Sequence, residues 1–146
     1  MAAWRATGAE LTHPWYLAQL AEAYWQEGQG QEGLTVLKEA LTLVHTTEER
    51  WWEAEIHRLQ GELLLVCSAE HTTEAEGCYQ HALDIARRQQ AKSLELRAAM
   101  SLARLWQQQG KHAAAYQLLA NVYQWFTESF ETADLKTARA LLAELA

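Results

Sequence analysis

Apolar residues in this chain recur at three- and four-residue steps, which is the spacing that places side chains on one stripe of an α-helix. The pattern itself repeats. A small-residue column, Ala21, Gly61 and Ala103, is followed three positions later by Tyr24, Leu64 and Trp106, and four further on by Gly28, Ser68 and Gly110. The second half of each unit continues with Gly33, Ala75 and Ala115, then Leu37, Tyr79 and Leu119, then Ala40, Ala82 and Val122. Successive members stand 40 or 42 residues apart. A period in this range marks stacked supersecondary units.

The units predict helices near 14–27, 30–45, 48–67, 73–90, 92–109 and 111–127. A last helix near 133–145 turns Leu135, Ala138, Leu141, Leu142 and Leu145 inward. Pro14 suits a first helical turn, and Thr46-x-x-Glu49 and Thr73-x-x-Glu76 fit capping boxes. Gly28 and Gly110 fall where a helix must stop, a place that favours positive φ. The second unit needs about two extra residues between Ser68 and Ala75 by comparison with its neighbours. It also puts His57 and Gln60 where apolar groups are preferred, with Ile56, Leu59, Leu63 and Leu64 as an alternative stripe. Residues 1–13 read as the remnant of a preceding helix. The expectation is one all-α domain over 1–146, a right-handed α-solenoid of three helix pairs (about 14–46, 47–90 and 92–128) with a C-terminal capping helix.

In the first and third units the order is large apolar, Leu, small, aromatic, Gly, small, Leu. Leu17, Leu20, Ala21 and Tyr24 begin it, and it resembles the tetratricopeptide pattern. The stretches GCYQHALDIARRQQAKSLELRAAMSLARLWQQQG (77–110) and YQWFTESFETADLKTARALL (123–142) further resemble the C-terminal helical-repeat region of large bacterial signal-transduction ATPases. That resemblance implies repeats serving as a sensor or interaction platform behind a nucleotide-binding domain, often beside an adenylate-cyclase-like or transcriptional-activator domain. It transfers no catalytic residue, because the catalytic parts of that family lie elsewhere.

With 146 residues, a single proline and seven glycines, the composition disfavours sandwiches and barrels. Two cysteines are too few for a disulfide framework, and no apolar leader or membrane-length run occurs, so a cytoplasmic setting is expected. The formal net charge of −7 argues against nucleic acid and anionic membranes as partners. The distribution is uneven. Residues 1–80 hold most of the acidic groups, whereas Arg87, Arg88, Lys92, Arg97, Arg104 and Lys111 cluster in the later part.

No complete phosphate loop or nucleophile–base–orienter set is legible, so no enzymatic activity and no cofactor are expected. The G-x-G-x-x-G at Gly28–Gly33 follows a helical stripe instead of a strand, the wrong setting for a dinucleotide. Cys67, His71, Cys78 and His81 offer zinc-ligand chemistry at a non-standard spacing, and a small buried thiol with a surface imidazole explains them more cheaply. Trp106 belongs to the aromatic column, Trp125 with Phe126 and Phe130 to a packing joint, and adjacent Trp51 and Trp52 diverge by about 100° on a helix, leaving one for contact.

If each first helix lines a concave face, Trp15, Glu22 and Trp25, then Glu55, Arg58 and Glu62, then Arg97, Met100 and Arg104 flank the packing stripe and point into the groove. Arg58, Arg97 and Arg104 would pair acidic side chains or a terminal carboxylate of a protein or peptide partner, with Trp25 or Met100 adding apolar contact. The reading is therefore a non-catalytic interaction module, with homodimerisation through Trp4, Trp51 or Trp52 compatible with it. The alternative is a regulatory domain that binds a small inducer in the groove.

Overall fold

A computed structural model describes residues 14–47, 52–126 and 132–146. Among them are seven α-helices and no strand: α1 (Pro14–Gln26), α2 (Gly30–Thr47), α3 (Glu53–Cys67), α4 (Thr72–Arg88), α5 (Lys92–Gln108), α6 (His112–Tyr123) and α7 (Ala133–Leu145). A single 3₁₀ turn, Ala69–His71, precedes α4. No helix among the described residues is long and apolar enough to cross a membrane.

Three of the turns are closed in the same way. After α1, the Gly28 amide donates to the Trp25 carbonyl and the Gln29 amide to Tyr24, at 3.0 and 2.9 Å, a Schellman closure with Gly28 at φ 73°. The Gly110 and Lys111 amides repeat it on Gln107 and Trp106, with Gly110 at φ 79°. Between α4 and α5, Gln90 takes this left-handed position at φ 56°, where glycine would sit without strain. The α3–α4 turn differs: Ser68 is extended, and its hydroxyl accepts from the Glu70 amide at 3.1 Å to start the 3₁₀ turn. That turn accommodates the extra residues of the second unit.

Each helix packs against the next, and the odd-numbered helices also touch in sequence, α1 on α3, α3 on α5 and α5 on α7. The small-residue columns lie inside these contacts. Ala21, Ala103, Ala75, Ala115, Ala40 and Ala82 are fully shielded from solvent, as are Leu37, Tyr79 and Leu119 at about 1% exposure or less. A methyl group built on Gly61 would lie 2.6 Å from Tyr79 Cε1 and 3.1 Å from the Ala75 carbonyl, so the absence of a side chain lets α4 close on α3. Gly30 and Gly33 do the same for α2 against Cys67 and Leu63 of α3. Leu135, Ala138, Leu141 and Leu145 of α7 cover the end of the core that includes Leu96, Leu102 and Leu119.

Helix boundaries correct the reading in three places. Helix α2 runs through Thr46 to Thr47, so Thr46 ends a helix instead of capping the next one, and α3 starts at Glu53 instead of residue 48. The stretch between contains no glycine or proline, so the pattern gave no signal to delay the start of α3. Thr73 lies within the first turn of α4, whose N-cap His71 makes no side-chain capping bond. Helix α6 stops at Tyr123, four residues before its expected end, leaving Trp125 and Phe126 outside it. Thr132 supplies a cap that the sequence pattern did not single out, its hydroxyl accepting from the Leu135 amide at 3.2 Å. Residues 1–13, Trp51, Glu49 and Phe130 lie outside the described residues.

Two of the helical glycines, Gly77 and Gly61, are expected to respond oppositely to alanine. Gly77 in α4 faces open space, so Gly77→Ala should stabilise by about 0.5–1 kcal/mol through helix propensity. Gly61→Ala gains the same propensity but forces Tyr79, which has no room to yield, and should destabilise by about 1–2 kcal/mol net. Urea denaturation of both variants checks the pair.

Candidate binding face

The odd-numbered helices carry a polar seam. Glu55 and Arg58 are three residues apart on α3 and so share a face; both are buried, at 3% and 7% exposure. Arg58 grips Glu55 with both arms of its fork, Nε to Oε1 at 2.8 Å and Nη2 to Oε2 at 2.9 Å. Its third nitrogen, Nη1, donates to the Ser101 hydroxyl on α5 at 3.2 Å. Arg97 of α5 crosses in the other direction, Nη1 to Glu55 Oε2 at 3.1 Å, while its Nε reaches Asp134 on α7 at 2.9 Å. Glu55 is therefore shared by two guanidinium groups, and Arg97 carries the network on to Asp134, so two carboxylates tie three helices.

The repeat explains the arrangement. Glu55 and Arg97 are separated by 42 residues, one repeat, so they occupy equivalent positions on neighbouring odd-numbered helices and face each other. Glu22, Glu62 and Arg104 form the next equivalent column. Glu62 is half-buried and accepts from the Tyr79 hydroxyl at 2.7 Å. Burial works against the charge on Arg58, but the hydrogen bonds and charge of Glu55, with Glu62 and Glu22 nearby, outweigh it and hold the guanidinium charged beyond its ordinary range. Arg97 shifts the same way: burial opposes its charge, and Asp134 and Glu55 more than compensate. Burial first, and then the adjacent Glu62 carboxylate, raise the Tyr79 phenol above its usual range.

These placements revise the expected groove. Arg58 is buried in its bidentate pair with Glu55, and Arg97 is held between two of the chain's own carboxylates, so neither carries uncompensated charge for a partner's. Met100 is 4% exposed and belongs to the core. Glu55 is the buried hub of the seam. Trp25 is partly buried against the core around Leu17, Ala21 and Leu37. Glu22 is half-buried near Arg58, and Arg104 is exposed. The side chain of Trp15 lies outside the described part. Sequence reasoning missed Ser101 and Asp134. A serine embedded in the apolar run 98–103 was a usable signal for the first, whereas Asp134 reaches Arg97 from 37 residues away and left none.

The other candidates are also placed. Gly28–Gly33 forms a helix–turn–helix, its glycines committed to one Schellman closure and to the approach of α3. Cys67, His71, Cys78 and His81 do not converge: among the described residues no group of three or more His, Cys, Asp or Glu is placed to hold a metal. His71 Nδ1 lies 3.1 Å from the Leu64 carbonyl. The Cys78 thiol is pushed up by burial and by Glu74. His81 instead meets His57 edge-on, ring centroids 4.3 Å apart. Burial, and then His81, lower the His57 pKa, opposed by Gln60 and Glu53. Trp52 is half-buried against the core around Leu17 and Leu59, and Trp106 packs on the core around Leu102, its indole nitrogen finding no hydrogen-bond partner.

Removing one member of the buried pair should cost more than removing both. Glu55→Ala strands Arg58 and is expected to destabilise by about 3–5 kcal/mol, whereas Glu55→Gln with Arg58→Met should cost clearly less; chemical denaturation of the single and double variants gives the comparison. A second expectation concerns acid. Because folding holds His57 below its unfolded pKa of about 6.5, the unfolded chain takes up the proton first, so this contribution is present above that pH and lost as pH falls through it. The melting temperature should drop between about pH 7.5 and 5.5, and His57→Gln should flatten that drop.

No protein-family profile matches the chain, and no curated protein is significantly similar to it.

Proposed function

We propose that this chain is a non-catalytic protein–protein interaction module, a right-handed α-solenoid of three tetratricopeptide-like helix pairs with α7 as its cap. The observation that carries the reading is the packing pattern. The odd-numbered helices touch one another in sequence, while among the described residues α2, α4 and α6 have no comparable contact with each other. An array packed more closely along one row curves toward that row and presents it as an extended inner surface. On that surface Glu22, Trp25, Glu62 and Arg104 keep part or all of their side chains accessible. The network beneath them fixes the row in place, so a partner would meet a preorganised surface, which lowers the cost of binding.

The likeness of residues 77–110 and 123–142 to the C-terminal repeats of bacterial signal-transduction ATPases supports placing the module in a cytoplasmic signalling protein of that type. Its task there is to hold a regulatory partner.

The test is retention of a protein by the immobilised chain, compared with a Trp25→Ala, Arg104→Glu variant whose helicity matches the wild type. The proposal expects a partner retained by the first and weakened by about tenfold or more with the second. Retention of nothing, together with stabilisation by a small molecule in a thermal-shift screen, would instead favour a ligand sensor.

A further inference from the structure

Trp125 is the most exposed of the large apolar side chains among the described residues, at 57%. It stands just beyond α6, where the helix has ended and no packing partner requires an indole. Its ring meets Phe126 edge-on at a centroid distance of 5.1 Å, and Phe126 in turn packs on the core, so the indole is propped at a fixed angle. Lys92 Nζ lies 5.4 Å from the ring centroid, within cation–π range. These groups border an open cleft of about 630 Å³ lined by Arg87, Gln90, Lys92, Ser93, Trp125 and Phe126. A second cleft of about 310 Å³ shares Ser93 and Phe126 with it and runs on to Arg97 and Leu135.

The electrostatics of the cleft favour one sign of ligand. Arg87 Nε and Lys92 Nζ both bond the same carboxylate, Glu95, at 3.1 and 3.2 Å. Glu95 is 7% exposed in its side chain, against 50% for Arg87 and 33% for Lys92. One buried anion thus positions two cations and leaves a positive excess facing water. The first turn of α5 adds to this, since its N-cap Ala91 provides no side-chain capping bond. The basic edge and the aromatic floor lie next to each other along an elongated depression.

Resting on the interaction-module reading, we propose that this cleft is the docking site for an acidic peptide segment of the partner. A glutamate or aspartate side chain of that segment sits between Lys92 and Arg87, and an adjacent apolar side chain lies on Trp125 and Phe126. Charge complementarity selects this occupant over a basic segment, and the chain's net charge of −7 weighs against an extended polyanion such as nucleic acid.

The experiment uses fluorescence anisotropy with the full chain and three labelled probes. The first is a peptide of about ten residues with glutamates around one phenylalanine, the second the same peptide with glutamine for glutamate, and the third a single-stranded oligodeoxynucleotide. The proposal expects the acidic peptide to bind at low salt about tenfold or more tightly than the glutamine peptide, and to weaken as salt rises. Trp125→Ala, and separately Lys92→Gln, which leaves the Arg87–Glu95 pair intact, should each weaken it about tenfold with the circular dichroism unchanged. Equal binding of the two peptides, tighter binding of the oligonucleotide, or indifference to Trp125→Ala would overturn the proposal. A protein partner retained equally by wild type and Trp125→Ala would overturn this assignment alone and leave the interaction module standing.

Discussion

The architecture depends on how closely helices can approach at a few positions without side chains of any size. Gly61 lies under the ring of Tyr79, Gly33 under Leu63, and Gly30 under Cys67, each so close that one added methyl group would collide. Close approach is what converts a string of amphipathic helices into a packed array, because dispersion contacts and water exclusion both fall steeply with separation. The large residues depend on the small ones. Tyr79 is 1% exposed because Gly61 admits its ring, and its hydroxyl can then reach Glu62 on the same neighbouring helix.

Tight approach also explains the charges at the seam. When α3, α5 and α7 come together, residues one repeat apart are brought face to face, and Glu55 ends between Arg58 and Arg97. Desolvating such groups is costly, and a buried ion pair is weak grounds for stability on its own. What the network provides is register: a helix that slipped by one turn would separate Glu55 from Arg97 and Arg58 from Ser101. The polar seam and the small-residue columns therefore specify the same alignment from two directions, one through attraction and one through steric exclusion.

Much of this was legible in the sequence. The column of Ala21, Gly61 and Ala103 is buried where periodicity put it, and Gly28 and Gly110 take the left-handed turns expected of them. The start of α3 was read five residues early, because residues 46–52 contain no helix breaker. The candidate groove was read with the wrong exposure at several positions. Flanking positions on a helix are solvent-facing only when the adjacent repeat leaves them room, and here Glu55, Arg58 and Met100 are covered by it. Nothing local marks Trp125 as exposed, since its fate depends on α6 ending at Tyr123.

The central claim is that the glycine column exists to admit the bulky column of the neighbouring helix. A double-mutant cycle in urea between Gly61→Ala and Tyr79→Leu tests it most directly. If the ring is what the missing methyl makes room for, Gly61→Ala will destabilise the wild type but become neutral or stabilising in the Tyr79→Leu background. The same free-energy change in both backgrounds would contradict the account.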